Sequence, residues 1–279
     1  MSAARRPRPP VPLVIAGSDP SGGAGLQADV KVLLRHGLSA AAVPTAVTVQ
    51  SPSGVSAVHA VGAKIVKAQL DALLTDIRPA VVKVGLLPDA ETVRVVARAL
   101  GPLASKGIPV VVDPVLGSSS GRRFLPVDDV PLFLRQLAPL ATLLTPNIDE
   151  AAELSGLGVA DVRQDTERVL KELLRTGARN VLIKGGHLPA GDAVDILGTR
   201  EAFVMFSLPR IPRRRAVHGT GCALSSAIAA HLAQGVDLED AIQAAKEWTQ
   251  AAIQGARAVG RGARLLDFQA EPVEPTPGG

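Results

Sequence analysis

Ile108-Pro109-Val110-Val111-Val112-Asp113 is apolar without alternation up to its last residue. A strand with one face in water alternates apolar and polar side chains, whereas a strand covered on both faces does not. This run therefore reads as a strand inside a parallel sheet with helices on both sides. The chain repeats the pattern around it. Short apolar runs stand at Pro12–Gly17, Ala40–Val49, Ala80–Gly85, Ala141–Thr145 and Asn180–Lys184. Amphipathic helical patterns at Ala24–His36, Lys64–Asp76, Ala90–Ser105, Ile148–Gly156 and Asp161–Thr176 alternate with them. Such repetition predicts a doubly wound α/β fold. Val194–Leu197 and Ala202–Leu208 read as a late hairpin, antiparallel at the sheet edge.

No Pro/Gly/Ser-rich linker divides the 279 residues, so residues 11–267 are expected to form a single domain. Residues 1–10 and 268–279 read as disordered tails. Apolar residues make up 47% of the chain, enough for a sizeable core, yet no apolar run reaches the roughly 20 residues that span a bilayer. The basic, Pro-rich start lacks the apolar stretch of a signal peptide. A lone cysteine, Cys222, cannot form an internal disulfide and fits a reducing cytoplasm. With no Tyr, one Trp and five Phe, the chain lacks the stacking platforms that single-stranded nucleic acid needs. Neither nucleic acid nor membrane is expected as a partner. Arg210, Arg213, Arg214 and Arg215 form the one basic cluster, read either as nucleotide steering or as a charged strand edge.

Ligands of such sheets bind beyond the carboxyl ends of the strands. Here those ends carry Ser18-Asp19-Pro20-Ser21-Gly22-Gly23-Ala24-Gly25, Asp113-Pro114, Thr145-Pro146-Asn147 and Lys184-Gly185-Gly186-His187. Any one of them is explained as a turn; together they suggest a shared rim. The strongest signal is His218-Gly219-Thr220-Gly221-Cys222, which runs directly into the Ala-rich helical stretch Ala223–Gln234. A Gly-Thr-Gly turn at a helix start presents unpaired N–H groups at the positive end of the dipole, an anion site. Cys222 falls in that first turn, where the same field favours a thiolate able to act as a base near neutral pH.

The N-terminal Gly22-Gly23-Ala24-Gly25 lets backbone approach a ligand, but it is neither a dinucleotide fingerprint nor a Walker loop. Asp29, one turn on, either faces that loop or is a solvated helix residue. Asp113, Asn147 and Glu150 suit Mg²⁺, which takes oxygen ligands and keeps its waters. Asn147 and Glu150 also have the spacing of a capping box, and the two readings are compatible. Lys184 at a strand end can neutralise phosphate charge or stand as an edge lysine with a solvated tip.

Ala16-Gly17-Ser18-Asp19-Pro20-Ser21-Gly22-Gly23-Ala24-Gly25-Leu26-Gln27-Ala28-Asp29 resembles the N-terminal motif of hydroxymethylpyrimidine/phosphomethylpyrimidine kinases, thiamine-biosynthetic members of the ribokinase superfamily. Thr45–Gln50, Lys83–Leu87, Val112–Val115, Leu144–Asn147, Lys184–His187 and His218–Cys222 continue the resemblance, which covers roughly Val11 to Ile253. It implies a ribokinase-like three-layer αβα sandwich with a mostly parallel central sheet, often dimeric, using ATP and Mg²⁺. The implied reaction phosphorylates 4-amino-5-hydroxymethyl-2-methylpyrimidine and then its monophosphate. By the same resemblance Asp29 and Gln50 would hydrogen-bond the aminopyrimidine, with Gly17, Val115 and Leu86 lining its pocket. Gly219, Thr220, Gly221 and Cys222 would form the anion hole, with Cys222 as base. Lys184, Thr220 and Gly221 would contact ATP, and Asp113, Asn147 and Glu150 would hold Mg²⁺.

The chain departs from the family pattern in three places. Leu86 replaces the usual Met with similar volume. Ser51-Pro52-Ser53-Gly54 replaces the usual Asn-Thr beside Gln50. Leu116-Gly117-Ser118-Ser119-Ser120-Gly121 lacks the usual loop Lys, leaving Arg122 or Arg123 to replace its charge. The alternatives are a pyridoxal- or pyridoxine-type vitamin kinase, and a catalytically weak pyrimidine-binding regulatory homologue.

Overall fold

A computed structural model describes residues 9–118, 121–185, 191–212 and 216–272. The chain runs β1 (Pro12–Ser18), α1 (Gly25–Arg35), β2 (Ala41–Ser51), β3 (Gly54–Ala60), α2 (Ala63–Asp76), β4 (Val81–Val84), α3 (Ala90–Ser105), β5 (Val110–Val112), α4 (Val130–Leu137), β6 (Leu143–Leu144), α5 (Ile148–Ser155), α6 (Val159–Gln164), α7 (Thr166–Arg175), β7 (Val181–Lys184), β8 (Ala193–Gly198), β9 (Phe203–Leu208), β10 (Val217–His218), α8 (Thr220–Ala233), α9 (Leu238–Gln254) and β11 (Arg264–Leu265).

Nine strands form one sheet in the order β3-β2-β1-β4-β5-β6-β7-β8-β9. The run from β2 to β7 is parallel, while β3, β8 and β9 each pair antiparallel to the preceding neighbour in the chain. The unalternating run behaves as its sequence predicts. Val110 and Val112 enter the core formed with α2 to α7, and Val111 enters the opposite layer beneath α8. α1, α8 and α9 fill that second layer. The result is a three-layer αβα sandwich around a mostly parallel sheet. β1 is followed by β2 on one side, and the chain later returns to place β4 on its other side. That reversal between β1 and β4 opens a crevice at their carboxyl ends.

Several elements lie outside the sequence assignment. β3 is half-exposed and carries no continuous apolar run, so its pairing with β2 gives it away only in three dimensions. α4, α9 and the short β10–β11 pair also went unassigned. The single helix expected at Asp161–Thr176 is two, α6 and α7. Asp165 breaks it by capping α7, its side chain accepting from Arg168 N at 3.0 Å. The late hairpin is antiparallel at the edge, as expected. Of the expected tails, residues 1–8 and 273–279 lie outside the described residues, as do Gly186, His187, Ser119, Ser120 and Arg213–Arg215. Phe268 and Ala270, assigned to a disordered tail, instead pack on the α8–α9 core, and Trp248 Nε1 donates to Ala270 O at 3.1 Å.

Candidate active site

The two glycine turns, far apart in sequence, meet. Gly219 has φ +79°, and a Cβ there would sit 1.8 Å from Gly23 O. Gly25 has φ +58°, and its Cβ would sit 2.3 Å from Gly17 O. Neither position admits a side chain, for conformational and steric reasons alike. This backbone-on-backbone contact brings the end of β1 against the start of α8. There they wall a cavity of about 340 Å³ that also takes in the ends of β4, β5 and β7. Ligand sites of small-molecule enzymes are commonly this size.

All the sequence-selected site residues except Asp29 line this cavity. At its centre α8 begins without a side-chain cap, so the first-turn amides of Thr220, Gly221 and Cys222 lack intrahelical acceptors. Leu86 and Val115 supply apolar wall, and Leu86 packs so closely on Gly17 that a Cβ there would lie 3.1 Å from its Cδ1.

Asp29 is placed differently from expectation. It is fully buried behind the cavity wall, with Oδ2 2.8 Å from Lys83 Nζ and Oδ1 accepting from Ser226 Oγ at 2.7 Å. Its carboxylate is spent on the scaffold because α1 turns it inward, under α8. The acidic group of the N-terminal motif that does face the cavity is Asp19. It organises the N-terminal loop by accepting from Ser21 N, Ser21 Oγ and Ala24 N, each at 2.9 Å. Burial works against its charge, but hydrogen bonds from His218 and Ser21 hold it below the usual carboxylate range. His218 Nε2 lies 2.9 Å from Asp19 Oδ2 and 2.8 Å from Gln50 Nε2.

Cys222 is half-buried and opens on the cavity. The surroundings of Cys222 do not favour the expected thiolate. Burial pushes the thiol up to about 12, and the Asp113 and Asp29 charges add to it. Lys83 and the Gly25 amide oppose that rise without overcoming it.

The carboxylate–lysine pair beside the anion turn is Asp113 and Lys184. Lys184 Nζ donates to Asp113 Oδ1 at 2.6 Å, and Ser225 Oγ donates to Oδ2 at 3.2 Å. Burial opposes the charge of Asp113, yet Lys184 and Lys83 hold its carboxyl below the usual range. Asn147 and Glu150 form the anticipated capping box: Glu150 N donates to Asn147 Oδ1 at 2.9 Å and Asn147 N to Glu150 Oε2 at 2.8 Å. Burial, helped by the charge of Asp113, pushes Glu150 up to about 7 even though Lys184 opposes it. Among the described residues no three His, Cys, Asp or Glu side chains cluster tightly enough to cage a metal. Asp113 already has both oxygens hydrogen-bonded, whereas Glu150 faces the cavity as a carboxyl short of positive charge. That donor set fits Mg²⁺ held mainly through waters and ligand phosphates, not a closed protein cage.

Neither arginine proposed to replace the missing loop Lys lines the cavity. Arg123 is committed elsewhere, making a two-pronged ion pair with Glu153 and donating from Nε to Leu125 O at 2.5 Å. Arg122 is exposed outside the cavity. Arg210 does line it.

Sequence reasoning missed one whole end of the cavity. Ala193, Leu208, Ile211, Leu224 and Ile253 make an apolar slot there. At its border Lys246 Nζ donates to Asp195 Oδ2 at 2.5 Å, and Gly185 N donates to Asp195 Oδ1 at 2.9 Å. Lys246 comes from α9, so recognising the amphipathic spacing of Ala241, Ile242, Ala245, Trp248 and Ala252 was the available signal.

A family model described as phosphomethylpyrimidine kinase matches residues 19–267. A thiamine biosynthesis bifunctional protein of Geobacter sulfurreducens is 46% identical over 250 residues, taking in 90% of this chain but 50% of that protein. The chain thus spans about half the length of that relative. A hydroxymethylpyrimidine/phosphomethylpyrimidine kinase of Rhizobium meliloti is 43% identical over 246 residues, 88% of this chain and 91% of that one. Among solved structures, an ADP complex of Bacillus subtilis pyridoxal kinase has a TM-score of 0.86 at 32% identity, covering 94% of this chain and 98% of that one.

Proposed function

Because the chain belongs to the phosphomethylpyrimidine kinase family, we propose that it transfers the terminal phosphoryl group of ATP to 4-amino-5-hydroxymethyl-2-methylpyrimidine and to its monophosphate, in thiamine biosynthesis. The observation that carries this reading is the contact of Gly219 with Gly23, which joins an uncapped helix start to a small pocket containing Gln50. An anion site and an acceptor pocket then share one space.

The hydroxyl oxygen of the acceptor attacks the terminal phosphorus while the bond to the ADP oxygen breaks, and the hydroxyl proton must leave. The amides of Gly219, Thr220, Gly221 and Cys222 receive the charge on the transferring oxygens. Lys184 lies beside them, and Thr220 and Gly221 meet the nucleotide phosphates. The apolar slot at the far end suits a nucleobase. Mg²⁺, when bound, supplies charge neutralisation on the phosphates; Asp113, Asn147 and Glu150 are the residues that would hold it. Cys222 Sγ is the candidate acceptor of the proton. A thiol pushed up to about 12, chiefly by burial, is about 10⁵-fold short of thiolate at pH 7, so this role requires the loaded site to offset that burial and the neighbouring carboxylate charges. Gln50 reads the aminopyrimidine edge, while Asp29 acts from behind through Lys83 and Ser226. The working form is a cytoplasmic homodimer, which sedimentation analysis tests.

Substitution of Cys222 by Ala is expected to lower turnover by at least about 10² while pyrimidine binding, measured by calorimetry, persists. Unchanged turnover would remove Cys222 as the base. The substrate assignment is tested by ATP consumption with hydroxymethylpyrimidine, its phosphate, pyridoxal and pyridoxine. A pyridoxal-kinase reading is favoured by the likeness to the Bacillus subtilis enzyme, and a preference for pyridoxal in that panel would replace the pyrimidine reading. The missing loop Lys, with neither Arg122 nor Arg123 at the cavity to replace it, predicts a slower second phosphorylation than first.

A further inference from the structure

Gly23 O is the atom that a side chain at Gly219 would strike. The place of Gly23 therefore sets how the N-terminal loop meets the start of α8. Gly23 is itself crowded by the far end of the chain. A Cβ there would lie 2.5 Å from Leu265 Cδ2 and 2.8 Å from His218 Cδ2. Leu265 belongs to β11, and its backbone is fixed on every side. It pairs in parallel with His218, and Arg264 N donates to Ala216 O at 2.9 Å. Leu265 and Arg257 exchange both backbone hydrogen bonds, each at 2.9 Å. Leu266 is buried in the α8–α9 core, and Asp267 N donates to Ala252 O at 3.0 Å.

A second tie leaves the same segment. Phe268 places its ring 5.0 Å from Lys31 Nζ, and that ammonium donates to Gly22 O at 2.8 Å. Attraction to the ring face helps to hold the cation where it grips the loop. Gly22 and Gly23 have no side chains with which to anchor themselves, and glycine backbone is the freest in the chain. Leu265 and Phe268 supply that restraint from outside, through contacts independent of one another. Close-packed groups transmit displacement, so a stop placed against Gly23 is felt at Gly219.

We propose that Leu265 is a positioning residue for phosphoryl transfer, a wedge behind Gly23 that fixes the spacing between the acceptor pocket and the anion turn, with Phe268 and Lys31 as a second brace on Gly22. Leu265 does not line the cavity, so it acts through Gly23 and not on a ligand. Its effect falls on rate and not on binding. When the joint loosens, each ligand keeps its own contacts, but the acceptor oxygen and the terminal phosphorus lose their alignment, and rate falls steeply with misplacement. This inference rests on the kinase reading for the reaction it serves, but not for the brace itself.

The brace is tested on the full chain without ligand by hydrogen exchange. Leu265→Ala should speed exchange by on the order of tenfold in residues 22–25 and 219–222, while Val110–Val112 exchanges as in the wild type. Unchanged exchange in either turn overturns the brace whatever the substrate. The role in transfer is tested with ATP and hydroxymethylpyrimidine. Leu265→Ala should lower kcat by on the order of tenfold, while calorimetry shows both ligands bound with unchanged affinity and full stoichiometry. Leu265→Met, which keeps the volume, should restore kcat. An unchanged kcat, or a loss matched by lost stoichiometry, overturns the positioning role. Should Leu265→Ala not fold, Leu265→Val, one methylene shorter than leucine, carries the same readings. A wild type that phosphorylates no pyrimidine alcohol refutes the substrate reading and leaves hydrogen exchange to decide the brace.

Discussion

Two lysines of the central sheet sit against carboxylates under the same helix, and they are not equivalent. Lys83 on β4 pairs with Asp29 at 2.8 Å, with both side chains at 0% exposure. Lys184 at the end of β7 pairs with Asp113 at 2.6 Å, and its side chain is 11% exposed. Consecutive serines of α8 serve the two pairs: Ser226 donates to Asp29 and Ser225 to Asp113. In each case burial would lower the lysine, and the partner carboxylate together with the other negative groups nearby overcomes it and holds the ammonium charged. The difference lies in access. A pair with no exposure, of which only Lys83 reaches the cavity lining, works as a clamp between β4, α1 and α8. A pair open on one side presents a cation already fixed in place, at the spot where phosphate would arrive.

The comparison is broken most severely by removing the sealed cation. Lys83→Met leaves Asp29 buried without its partner and should cost about 3–5 kcal/mol of stability, measured by urea unfolding. Adding Asp29→Leu should recover most of that loss, since a buried pair is often replaceable by apolar residues. A Lys83→Met protein as stable as wild type would show that the clamp does nothing. Next comes Lys184→Met. Asp113 keeps its contacts with Thr145 and Ser225 and its opening on the cavity. The fold should therefore suffer less than with Lys83→Met, while turnover falls by about 10²–10³. Equal damage to stability from both variants would erase the distinction.

A gentler probe is Gly221→Ala. Its Cβ would lie 3.1 Å from Lys184 Nζ, so the ammonium must shift, and turnover should drop about tenfold with little change in melting temperature. The smallest effect belongs to Glu150, which burial pushes up to about 7 from an ordinary 4.5. Its folded form binds a proton more tightly than its unfolded form. The stability it contributes is therefore full below about pH 4.5 and is lost as pH rises through 7. Glu150→Gln should flatten that part of the stability–pH curve; an unchanged slope would mean that other groups carry it.

The local signals in the sequence were strong where geometry is local. The unalternating Val110–Val112 run, the capping box at Asn147 and Glu150, and the uncapped turn before α8 all follow from short-range pattern. Asp29 was misplaced because helical spacing gives a direction only once the packing partner of the helix is known. Here α8 covers it and Lys83 claims it. Cys222 was misjudged for a related reason: the helix dipole is visible in the sequence, while the burial that raises the thiol, and the Asp113 and Asp29 charges that add to it, come from elements packed around it. His218 and Asp19 were in plain view as motif letters, but their mutual contact spans the chain and has no spacing to read.

Residue order by itself determined the layered parallel sheet, the rim on which polar residues collect and the presence of an uncapped helix start after a Gly-Thr-Gly turn, because periodicity and turn chemistry act over a few residues. Tertiary structure alone decided which charges face the cavity and which are sealed beneath it. Burial and ion pairing depend on groups brought together from distant strands, and their energies follow distance and access to water, not position in the chain.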